Sequence, residues 1–245
     1  MVKKFTTYDE IENLCEAMVK DFMKRKHYTN AHCVDIEGLV REYLGFPIVY
    51  ETFAEPDPGR IGFVSDGIRP LWVISNGVKL QALYPKDTIV IERYLLNPKE
   101  AARRRFTIAH EAAHIILSRH VPNQTNAAAA FHSEFDGEMR YDQDMLREMM
   151  NVNEMFSNRA GACLLMPQFL VARVMKRNNP AGKFYFYDNF VVSQEQKLLI
   201  QKIADVMGVS YTAFFNRIKE LNLFEMRPIE TYLHETLGFG GDVYD

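Results

Sequence analysis

The segment His110-Glu111-Ala112-Ala113-His114 constrains this 245-residue chain more than any other stretch. Two imidazoles four residues apart converge on a helix, where about 100° per residue sets them about 40° apart on one face, close enough to share an ion. Asn97 as cap and Pro98 as first helical residue open such a helix, which runs through AARRRFTIAHEAAHIILSRH. Phe106, Ala109, Ala113, Ile116 and Leu117 supply apolar faces, and the small Ala112 and Ala113 admit close approach of another element. A buried, rigid helix is expected. Glu111 points away from the face shared by the histidines, as a general base acting on a water at the metal would, rather than as a ligand. The plain alternative is a core helix with two satisfied histidines and a surface glutamate, since a pattern with three fixed positions also arises by chance.

Catalytic zinc needs a third protein ligand and an open position. Downstream, Glu154 and Asn158 stand at i and i+4 of a second helical stretch, and Ala160, Gly161 and Ala162 permit tight helix packing. Glu154 is the candidate third ligand, and Asn158 a candidate partner for the second nitrogen of a ligating histidine. The competing assignment makes both the polar face of an ordinary helix. His120, His132 and Tyr141 lie in the connecting segment as candidate oxyanion donors, with nothing in the sequence to choose among them and a surface or packing role open for each.

Elsewhere, Thr7 and Glu10 form a capping box ahead of Ile11, Leu14, Met18, Val19 and Phe22 at helical spacing. Ile36 to Leu44 read as a shorter helix stopped by Gly45 and Pro47. PIVYETF, PLWVIS and DTIVIERYL, separated by EPDPGR and by Asn76-Gly77, read as strands of a small antiparallel or mixed sheet. The triplet Arg103 to Arg105 reads as a solvated first turn. A net charge of −3 offers no general attraction to nucleic acid or to an anionic membrane. The N-terminus lacks an apolar export core, no stretch is long enough to cross a bilayer, and Cys15, Cys33 and Cys163 suit neither a disulfide framework nor a thiolate site. A cytoplasmic protein is expected.

Ser193 to Phe224 has the pattern of a helix-turn-helix around Gly208-Val209-Ser210. From Val191 to Glu225, four basic residues (Lys197, Lys202, Arg217, Lys219) balance four acidic ones (Glu195, Asp205, Glu220, Glu225). Gripping phosphates needs a basic excess, so a structural hairpin packed on the rest of the chain is expected, rather than a DNA reader.

Three segments together resemble the ImmA/IrrE-type metallopeptidases: R-F-T-I-A-H-E-A-A-H (105–114), E-x-x-S-N with the ending A-C-L-L-M-P (154–167), and A-D-V-M-G-V-S-Y-T-A-F-F-N-R-I-K-E-L (204–221). The resemblance spans roughly residues 8–225. It implies a zinc-dependent protease of gluzincin-like arrangement, in which the glutamate of the later helix falls on Glu154. It also implies a protein substrate, a repressor of the helix-turn-helix type whose cleavage relieves repression in a mobile element or a stress response. Two features depart from the family. Ser157-Asn158-Arg159-Ala160-Gly161 stands where the family usually has Ala-Asn or Ala-Asp and, one residue on, Phe-Ala. The connection 115–153 also looks long for the family, as a lid, a substrate element or a tolerated loop would be.

The expected fold is α+β: N-terminal helices, a small sheet, the HExxH helix and a helical C-terminal half. The expected division is a zincin-like core over 1–192, a helix-turn-helix-like hairpin over 193–225 packed on it, and a tail over 226–245 that leaves the domain. A metal-dependent binding protein without catalysis, and a DNA-binding regulator, are the other two functional classes that the residues leave open.

Overall fold

A computed structural model describes residues 7–54, 59–120, 132–133 and 152–237. Helix α1 (Tyr8–Arg25) begins where the capping box places it, with Thr7 Oγ1 accepting from Glu10 N at 3.2 Å and Glu10 Oε2 accepting from Thr7 N at 3.0 Å. The short α2 (Ile36–Gly38) runs on into a π-helical turn, Leu39–Tyr43. Gly45, at φ +75°, then turns the chain in the left-handed region that glycine adopts most readily.

Five strands follow: β1 (Ile48–Phe53), β2 (Arg60–Val64), β3 (Leu71–Ser75), β4 (Val78–Ala82) and β5 (Ile89–Glu92). With the two-residue β6 (His132–Ser133) they form one mixed sheet in the order β4-β3-β1-β5-β2-β6. β1 and β5 are parallel, while the β5–β2, β2–β6, β1–β3 and β3–β4 pairings are antiparallel. The β3–β4 hairpin turns on Asn76 (φ +51°) and Gly77 (φ +78°), both left-handed as a two-residue hairpin loop favours. β5 is buried on both faces. Ile89 and Ile91, with Val64 of β2, join the helical core, whereas Val90 and Phe63 join Leu71 and Val73 in a smaller core across the sheet. This is why Ile89-Val90-Ile91 is an unbroken apolar run rather than an alternating one.

Asn97 caps a 3-10 turn (Pro98–Glu100), its side chain accepting from Lys99 N at 3.0 Å, and the turn feeds α3 (Ala101–His120). Next come α4 (Val152–Leu165), α5 (Gln168–Asn178), β7 (Phe184–Tyr187), α6 (Gln194–Met207), α7 (Tyr211–Glu220), β8 (Phe224–Arg227) and α8 (Ile229–Leu237). The architecture is α+β. No single helix among the described residues is long and apolar enough to cross a membrane. Most of the connection 115–153, including Asn123 to Ala130 and Tyr141, lies outside the described residues, as do residues 238–245.

Two expectations need correction. The chain does not leave the fold at residue 226, because β8 pairs in parallel with β7 from Phe184↔Phe224 to Tyr187↔Arg227, and α8 follows it. Nor is Arg105 solvated: its guanidinium donates to the carbonyls of Val34 and Gly208, each at 2.8 Å. Gly208 ends α6 at φ +66°, so Arg105 fastens the turn of the α6–α7 pair to the helix that carries the histidines.

Candidate metal centre

Helices α3 and α4 bring together His110, His114 and Glu154, whose ligand atoms all lie within 4.8 Å of one another. His110 Nε2 and His114 Nε2 are 2.9 Å apart, and each is 3.3 Å from an oxygen of Glu154. A tetrahedral ion with bonds of about 2.0–2.1 Å sets its ligand atoms about 3.3 Å apart, so this donor set has the size of such a site. Gly161 makes the approach of the two helices possible, since a Cβ there would stand 3.1 Å from the backbone nitrogen of His110.

The donors are electronically suited as well. Burial pushes His110 down to about 4, an effect that a hydrogen bond with the Asn158 side chain partly offsets. Burial, with the neighbouring His110, pushes His114 down to about 3 against the pull of Glu154. Both imidazoles are therefore neutral near pH 7, and their contacts with Glu154 are not ion pairs. Instead, two neutral rings and a carboxylate turn electron pairs toward one point, an arrangement that a cation stabilises. His114 Nδ1 lies 3.0 Å from Ser157 Oγ, one helical turn beyond Glu154 on α4.

Glu111, about 100° round α3 from His110, is fully buried and lies against β2. Neither carboxylate oxygen has a hydrogen-bond partner among the described residues. Burial, reinforced by the charge of Glu154, raises its pKa well above the ordinary carboxylate range. Gly62 of β2 makes room for it, because a Cβ at 62 would overlap Glu111 Oε1 and stand 2.8 Å from Thr107 Cγ2.

A sequence profile of the IrrE N-terminal-like domain, a peptidase family, matches residues 75–219, more than half of the chain. The chain belongs to this family. The IrrE N-terminal-like region takes in α3, α4, α6 and nearly all of α7, and so includes all three converging donors. A stretch of 102 residues is also 29% identical to the radiation response metalloprotease IrrE of Deinococcus radiodurans, covering 42% of this chain and 26% of that protein. The match thus spans about a quarter of the relative's length. A metallopeptidase family implies a bound metal, and His110, His114 and Glu154 are fitted to hold one.

Of the candidate residues, His110, His114, Glu154 and Asn158 come together, with Glu111 next to His110 on the same helix. His120 donates Nδ1–H to the carbonyl of Ile116 at 2.9 Å, which ties that nitrogen to its own helix. The side chain of His132 and all of Tyr141 lie outside the described residues. Two residues of the site carry no motif, Ser157 and Gly62. A serine within a helix is an ordinary sight, but a glycine inside a strand does signal close approach of another group. On the general-base role proposed below for Glu111, Gly62→Ala should displace its carboxyl and lower peptide hydrolysis by about 100-fold, because misplacing a reacting group by about 1 Å costs that much. Metal content should be unchanged. Steady-state kinetics with elemental analysis checks this, and a variant of undiminished rate would show that Glu111 has room to spare.

Proposed function

We propose that this protein is a zinc-dependent endopeptidase in which His110, His114 and Glu154 hold the ion and Glu111 is the general base. The observation that carries this reading is the convergence of three electron-pair donors at zinc-like spacing beside a fully buried carboxyl without a partner among the described residues. When bound, zinc supplies Lewis-acid chemistry, polarising a carbonyl and acidifying water. Glu111 then takes the proton of the attacking water and returns it to the leaving amine. Its low-dielectric surroundings suit it to hold that proton between the two transfers. Asn158 and Ser157 orient the imidazoles.

The substrate class we propose is a protein, a repressor of the helix-turn-helix type, cleaved in the cytoplasm during a stress response or the induction of a mobile element. Family resemblance supports the substrate class, the radiation response metalloprotease of Deinococcus radiodurans supports the stress-response setting, and three cysteines that are all free thiols suit a reducing compartment. Direct action on DNA fits the α6–α7 pair poorly. Arg217, on the second helix of that pair, is fully buried against Glu12, and Lys219 lies over the rings of Phe190 and Phe215.

The direct test is elemental analysis of purified wild type, His114→Ala and Glu154→Ala after identical handling. About one zinc per wild-type chain, lost in both variants, is the expected result. A wild type that takes up no zinc when it is supplied would overturn the reading.

A further inference from the structure

The geometry points to Ser157 as a positioning residue for His114, a role that builds on the metal site proposed above. Ser157 is buried at 1% exposure on α4, and its hydroxyl oxygen lies 3.0 Å from His114 Nδ1. An imidazole offers its Nε2 lone pair to a metal only in the tautomer that carries its proton on Nδ1, and that Nδ1–H needs an acceptor. The hydroxyl of Ser157 has the lone pairs to accept it. α4 thus faces both nitrogens of His114, with Glu154 near Nε2 and Ser157 at Nδ1.

The two histidines divide the support between neighbouring residues. Asn158 bears on His110 through its dipole, while Ser157, one residue earlier and about 100° round the helix, meets His114. One turn of α4 therefore supplies a ligand and the partner of another. This requires α4 to stay in register with α3, which the close contact at Gly161 enforces.

The test compares wild type, Ser157→Ala and Ser157→Thr. Zinc affinity is measured by chelator competition, and the His114 tautomer is read from imidazole nitrogen chemical shifts. Alanine removes only the hydroxyl and is favourable in a helix, so the fold should persist, with circular dichroism as the check. Zinc affinity should fall by about 10- to 100-fold in Ser157→Ala, the usual cost of losing such a partner. Threonine, which keeps the hydroxyl, should restore most of it. In Ser157→Ala the metal-free His114 should shift toward the tautomer protonated on Nε2. Equal zinc affinity in wild type and Ser157→Ala, with an unchanged tautomer, would overturn this role alone. A wild type without zinc affinity would overturn the metal site and this role together.

Discussion

Glu111→Gln should lower peptide-bond hydrolysis by about 100- to 10,000-fold, the range that a positioned general base contributes, while zinc content stays as in the wild type. The amide keeps the size of the carboxyl but cannot accept a proton and pass it on. None of the three converging donors is touched, so metal uptake and catalysis separate in this one variant. The separation matters because a protein that acts only by metal-dependent binding would lose nothing. Mass-spectrometric profiling of a peptide library gives the rate, and elemental analysis gives the metal. Retained hydrolysis with Glu111→Gln would move the general base to another residue and leave the buried carboxyl without a role. The side chain is fully buried with two unpartnered oxygens among the described residues, a costly arrangement that burial alone does not justify. Proteins hold such groups where the chemistry requires them.

What could be read from the sequence is what local chemistry decides. The capping box at Thr7 and Glu10, the Asn97-Pro98 start before α3 and the Asn76-Gly77 hairpin each rest on residues within a few positions of one another, and the structure has them as expected. His110 and His114 share a helix, so their convergence follows from its pitch alone. Strand β2 was hidden because Arg60–Val64 begins on the last residue of the turn-rich EPDPGR and holds a glycine. Its reason for existing lies elsewhere, in pairing with β5 and in making room for Glu111. The contact of Ser157 with His114 spans 43 positions, and no periodicity reports it. Similarly, Arg105 looked like one of three surface arginines, since nothing nearby shows that the carbonyls of Val34 and Gly208 lie within its reach.

The longest-range link in this set of contacts supports the second large effect. Arg217→Met should destabilise the fold by about 3–5 kcal/mol, the usual result of breaking a buried ion pair by removing one partner. Arg217 on α7 is fully buried, and it pairs with Glu12 on α1, 205 positions away, through both terminal nitrogens, one of them at 2.9 Å. Its Nε donates to the carbonyl of Met166 at 2.9 Å, beyond the end of α4, and Cys163 on α4 donates its thiol to Glu12 at 2.9 Å. The cluster joins the first helix, the helix bearing Glu154 and the second helix of the α6–α7 pair. Methionine fills much of the space but leaves the Glu12 carboxylate without its principal partner. Urea unfolding with linear extrapolation measures the loss. Glu12→Leu combined with Arg217→Met should recover much of it, because removing both charges leaves neither one stranded.

The same pair predicts a pH dependence. Burial pushes Glu12 up, but the hydrogen bonds and charge of Arg217, helped by Cys163 and Arg159, outweigh it and hold the carboxyl below its ordinary value of 4.5. A carboxyl depressed by folding contributes stability that is present above its unfolded pKa and lost as pH falls through the folded value. In Arg217→Met the sign reverses. Burial then dominates, the folded pKa of Glu12 rises, and its charged form is penalised at neutral pH but not in acid. The gap in unfolding free energy between wild type and Arg217→Met should therefore narrow between about pH 7 and about pH 4. A constant gap over that range would mean that Arg217 stabilises the fold by packing and by its bond to Met166, and that its charge on Glu12 contributes nothing.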